Sequence, residues 1–95
     1  MSAVYRYEFN PEIPIEDIEA SMVLALLGAE ALHGETEVQL VSCHAMDVER
    51  RSCAVDASTR VGHDVNRLFA GFLRREFGAD AFQVRRDAAP TPTAA

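Results

Sequence analysis

The sequence predicts an α+β fold, a ferredoxin-like βαββαβ chain whose four-stranded antiparallel sheet carries two helices on one face. Three patterns predict it. Short, strand-like apolar segments stand near both ends of the chain. Two segments of helical periodicity each run into a glycine. Between them, two strand-like segments flank one polar turn. Strand–helix–strand, repeated once, is the split βαβ arrangement, with the first and third strands at the centre. The name denotes a topology only, because two cysteines do not supply the usual four ligands of an iron–sulfur cluster.

The first strand is Val4 to Phe9. Tyr5, Tyr7 and Phe9 fall on one side and Arg6 and Glu8 on the other, so one face is buried. Asn10-Pro11 breaks this strand. A helix follows from Pro14 to His33, and Pro14 suits its first turn because the missing N–H has no helical acceptor there. Glu16, Asp17 and Glu19 stand near the positive end of the helix dipole, His33 near the negative end, and Gly34 ends the helix. Val38 to Met46 and Ser52 to Ala57 read as two strands of a hairpin, joined by Asp47-Val48-Glu49-Arg50. Ser58 or Thr59 caps a second helix, Arg60 to Phe77, which stops at Gly78. Ala81 to Arg85 is the last strand. From Asp87 onward the Ala, Pro and Thr run reads as a disordered tail, so residues 1–86 form one α+β domain and residues 87–95 an appendage.

Composition narrows the function classes. At 95 residues and 48% hydrophobic, the chain holds one domain with one core. Its formal net charge is −6, unevenly placed: residues 1–56 hold eleven acids against three Arg, and residues 57–95 four acids against six Arg. Net acidity argues against nucleic acid as the partner, since Lys and Arg must neutralise phosphates. The longest apolar run, Met22 to Leu27, falls far short of the roughly 20 residues of a membrane span. No basic segment leads into an apolar run at the N-terminus, and Cys43 and Cys53 are the only cysteines. The expectation is a cytoplasmic protein with reduced thiols and no membrane association.

The first helix is the most informative element. Ile15, Ile18, Met22, Leu26 and Ala29 form one apolar stripe, which packs on the sheet. A second stripe, Ala20, Val23, Leu24, Leu27 and Ala31, lies well away from it. That face is covered either by the second helix or by another chain. On the second helix Val61, Val65, Leu68 and Phe72 form the core stripe, with Phe69, Leu73 and Phe77 as its shoulder. Opposite them Arg60, Arg67 and Arg74 repeat every seven residues, with His63 alongside. A guanidinium row of this kind suits phosphate, an acidic peptide or the acidic half of a second subunit.

Other chemistry is less well supported by spacing. Cys43, His44 and Cys53 do not form a C-x-x-C pair, and neighbours along a strand point to opposite faces, so no metal site is expected. A hairpin register that sets Cys43 opposite Cys53 is one option, as a buried apolar pair. Tyr5 and Tyr7 resemble base-stacking residues by position alone; the third strand, Ser52 to Asp56, lacks an aromatic, so they are assigned to the core. The expected function is a noncatalytic protein-interaction or assembly module without a cofactor, self-associating or bound to a protein partner. Its binding residues would be the second stripe of the first helix and the Arg row. The alternatives are a small dimeric enzyme of the same topology, with a cleft site near Cys43 and His44, and a weak nucleic-acid binder acting through the Arg row.

Overall fold

The computed structural model describes residues 3–41 and 43–87. The chain runs β1 (Val4–Phe9), α1 (Ile15–His33), α2 (Glu35–Leu40), β2 (His44–Asp47), β3 (Ser52–Asp56), α3 (Arg60–Phe77), a 3-10 turn (Ala79–Ala81) and β4 (Phe82–Asp87). The described residues form an α+β fold of one four-stranded antiparallel sheet, ordered β2-β3-β1-β4, with three α-helices. β1 and β3 hold the centre, as the sequence predicts.

The main departure lies just after α1. The predicted strand from Val38 is replaced by α2, and β2 is confined to His44–Asp47. The length of β3 explains this. The β2–β3 ladder runs only from His44↔Val55 to Asp47↔Ser52, and the Cys43 carbonyl closes it by accepting from the Asp56 amide at 2.7 Å. A strand from Val38 would project past β3 with unpaired backbone groups. As a helix the segment pairs locally, the Val38 N–H donating to the Gly34 carbonyl (3.3 Å), while Val38 itself enters the core. The same register places Met46 opposite Cys53, so Cys43 is not its cross-strand partner. β4 begins one residue later than predicted and continues to Asp87, which pairs with Val4. The remainder of the predicted tail, residues 88–95, lies outside the described residues.

The core follows from the β1 alternation. Tyr7 and Phe9 are buried, and Arg6 and Glu8 are exposed on the opposite face. Met46, Cys53, Tyr7 and Val84 stand side by side across the helix-bearing face of the sheet. The Tyr7 ring meets Phe69 edge-on at 4.9 Å, and its hydroxyl donates to Asn66 Oδ1 at 2.6 Å, so the buried phenol keeps a polar partner. Both helices sit slightly rotated from their predicted stripes. On α1, Ser21 and Ala25 are buried, whereas Ile15 and Leu26 are only partly so; on α3, Phe69 and Leu73 are buried in place of Leu68 and Phe72. Close packing of α3 on the small-residue side of α1 accounts for the turn: a Cβ on Gly28 would stand 2.9 Å from Leu68 Cδ1. The Ser21 hydroxyl is satisfied by the Asp17 carbonyl at 3.1 Å.

Two ties fix the connections. Arg51, in the β2–β3 turn at φ 53°, donates from its guanidinium to the carbonyls of Asn10 and Ile13, holding the turn against the β1–α1 connection. Thr59 caps α3, its hydroxyl accepting the Gly62 N–H at 3.0 Å. Gly62 also permits a close approach, since a Cβ there would overlap the Asp56 carbonyl oxygen. The first turn of α3 therefore rests directly on the end of β3.

Candidate functional site

On a helix, each residue turns about 100° from the last, which sets Ala20, Val23, Leu24, Leu27 and Ala31 opposite the buried residues Ile18, Met22, Ala25 and Ala29. The outer set is exposed throughout, with Val23, Leu24 and Leu27 each at 53%. α3 does not cover it, because α3 meets α1 on the Gly28 side. Of the two coverings the sequence allowed, the one by the second helix is therefore not the one seen among the described residues. Arg60, Arg67 and Arg74 are exposed on α3. All eight predicted partner-binding residues thus lie at the surface, five on α1 and three on α3. Leu32 and Leu40 add exposed apolar area, at 68% and 77%. Sequence reasoning missed Leu40 because it read that segment as a strand.

Both cysteine thiols are buried in the core. Cys43 and Cys53 are free, and burial pushes both thiols up, Cys53 to about 11. Thiolate chemistry needs the opposite shift. His44 is exposed on the edge strand β2. Among the described residues, no group of three or more His, Cys, Asp or Glu is arranged to hold a metal ion.

A polar cleft that the sequence did not reveal lies where α1 ends and α3 begins. β1 and β3 run antiparallel, so the helix that follows each also runs opposite to the other, and the last turn of α1 comes beside the first turn of α3. The cleft, of about 530 Å³, is bounded by His33 of α1, the 57–59 connection, and Arg60, His63 and Asp64 of α3. His33 Nε2 lies 2.7 Å from Asp64 Oδ2, and His63 Nδ1 lies 3.6 Å from Asp64 Oδ1. The His33 hydrogen bond is the main reason that the Asp64 carboxyl is held below its usual range. Asp56 is held down as well, by hydrogen bonds from Ser58, whose amide donates to Asp56 Oδ1 at 2.9 Å. With the Thr59 cap and the Gly62 contact, these bonds hold the 57–59 connection that borders the cleft. Its only sequence hints are a His in the last turn of one helix and an Asp in the first turn of the other, 31 residues apart.

Comparison with known proteins found no matching family model, curated protein or solved structure.

Proposed function

We propose that this chain is a noncatalytic assembly module of ferredoxin-like build that pairs with a second copy of itself through the outer face of α1. The observation that carries the reading is a helix apolar on both sides, one side filling the core and the other left in water. Burying a Leu fully is worth roughly 1.5–3 kcal/mol, so wet Leu24 and Leu27 forgo stabilisation that an interface supplies. Exposed apolar patches of this kind mark interaction surfaces.

Charge favours a second copy as the occupant. α1 and α2 together hold six acids and no Arg, whereas α3 holds four Arg against two acids. One protomer therefore presents both halves of a complementary pair. Five half-exposed side chains supply roughly a few hundred Å², and a stable pair needs about 800 Å² from each partner. The neighbouring face of α3, with Arg67 and Arg74, supplies the remainder and the positive charge. Two free, buried thiols suit a reducing compartment, which supports a cytoplasmic location. Among the described residues, no helix is long and apolar enough to cross a membrane.

The test is the double substitution Leu24→Glu with Leu27→Glu. Both residues are exposed in the single chain, so circular dichroism and the melting temperature of the fold should change little. The mass in solution should fall from dimer to monomer. A wild-type chain that is monomeric at the concentrations of the assay defeats the self-association reading.

A further inference from the structure

The outer face of α1 carries a pattern that reads the same in both directions. Its line runs Ala20, Leu24, Leu27 and Ala31, all exposed, with Val23 on one shoulder. Steps of four, three and four residues are those of a seam between two helices that cross at about 20°. The order small, large, large, small is symmetric about the midpoint between Ala25 and Leu26. Two copies of this helix, laid antiparallel about a two-fold axis through that midpoint, set Leu24 against Leu27 of the second copy and Ala20 against Ala31. Leu then fills the middle of the seam, and Ala at both ends lets the backbones approach closely. The stripe is thus its own complement, as a two-fold interface requires. Charge selects the direction. The next seam position toward the N-terminus is Asp17, which is exposed. A parallel pair would stand Asp17 against Asp17 of the second copy, and like charges set against each other across an interface oppose it. The antiparallel pair instead carries Asp17 past the end of the other α1, level with Gly34, which has no side chain to meet it.

From this pattern we infer that two copies pair with their α1 helices antiparallel, on a two-fold axis that passes between Ala25 and Leu26, with Leu24–Leu27 contacts at the centre and an Ala20–Ala31 contact at each end. The inference rests on the self-association proposed for this face and adds its direction and register. The second copy lies on the Leu24 side of α1, because Leu68 of α3 already stands against the Gly28 side. A two-fold contact closes on itself: once the two outer stripes meet, neither is left to recruit a third copy, so the assembly stops at a dimer.

The experiment compares three variants of the full chain after mild oxidation: Ala20→Cys, Ala31→Cys, and the two combined. Ala20 and Ala31 are exposed, so all three should fold as wild type does. A disulfide needs Cα atoms within about 7 Å. In the antiparallel pair each new thiol lies about 16 Å along the axis from the same position of the second copy, at a rise of about 1.5 Å per residue. Positions 20 and 31 of one chain are equally far apart. The combined variant should therefore run as a covalent dimer on a non-reducing gel, and each single variant as a monomer. Cys43 and Cys53, only 3% and 2% exposed, should leave oxidised wild type a monomer on the same gel. Single variants that cross-link as well as the combined one would mean a parallel pair and overturn the inference. So would a combined variant that fails to cross-link while wild type still sediments as a dimer, since the copies would then meet elsewhere. A wild-type chain that sediments as a monomer removes the self-association itself, and the inference with it.

Discussion

Cys53 shows how a small residue sets a property of the whole core. It lies in central strand β3, between Met46 on β2 and Tyr7 on β1, and is 2% exposed. Burial, and then the nearby Cys43 thiol, raise its pKa to about 11. In the unfolded chain a thiol ionises near 8.5, so above that pH the unfolded state loses the proton first and gains stability relative to the fold. The stabilisation is complete below pH 8.5 and is lost as pH rises toward 11. Cys43 is raised too, and Tyr7, raised by burial, joins only above pH 10. The double variant Cys43→Ala and Cys53→Ala should therefore be less stable than wild type at pH 7, by about 1–3 kcal/mol from lost packing. Its stability should stay flatter between pH 8.5 and 10, where each wild-type thiol contributes a slope of up to about 1.4 kcal/mol per pH unit. Urea denaturation across that range reads the difference. Parallel slopes for the two proteins would mean that the thiols are not what titrates.

At the level of elements, two glycines inside helices make opposite predictions. A Cβ on Gly62 meets the Asp56 carbonyl oxygen, a backbone atom fixed in β3, so Gly62→Ala should push α3 off the sheet and cost roughly 1–3 kcal/mol, as overpacking against an unyielding neighbour does. A Cβ on Gly28 meets only the end of the Leu68 side chain, which can rotate away, and alanine favours the helix by about 1 kcal/mol, so Gly28→Ala should be near neutral. Melting temperatures of the two variants decide the matter, and equal losses would refute this account of the packing. The elements the sequence disclosed were those with local signals: the alternation of β1, Thr59 before α3, and Gly34 and Gly78 after the long helices. α2 was hidden because Val38 and Leu40 alternate as a strand would, and the deciding fact, where β3 ends, is set by residues 52–56. The outer α1 stripe was visible because it depends only on spacing along one helix. Whether α3 covered it was not, because that depends on the side by which the two helices meet. The His33–Asp64 pair joins two helix ends and has no local signature.

Across the whole molecule the two broad sides differ in character. The open side of the sheet is polar, with Arg6, Glu8 and Arg85 exposed and Arg85 Nη2 4.0 Å from Glu8 Oε2. The helix side carries the apolar stripe of α1, the acids of α1 and α2, and the Arg row of α3. In the proposed dimer, Arg67 and Arg74 meet the acids of the second copy at the edge of the interface. Rim charges of this kind set the salt dependence and rate of association more than its depth. The variant Arg67→Glu with Arg74→Glu should fold normally, since exposed charges contribute only about 0–1 kcal/mol. At low salt its dimer should be weaker than wild type, because acid now faces acid. Raising the salt shortens the screening length from about 10 Å at 0.1 M to about 3 Å at 1 M, and should bring the two dimers together in affinity. Sedimentation equilibrium at both salt concentrations measures this. A variant that dimerises as tightly as wild type at low salt would place α3 outside the interface, and the outer face of α1 would then have to find its remaining contact area on another side of the molecule.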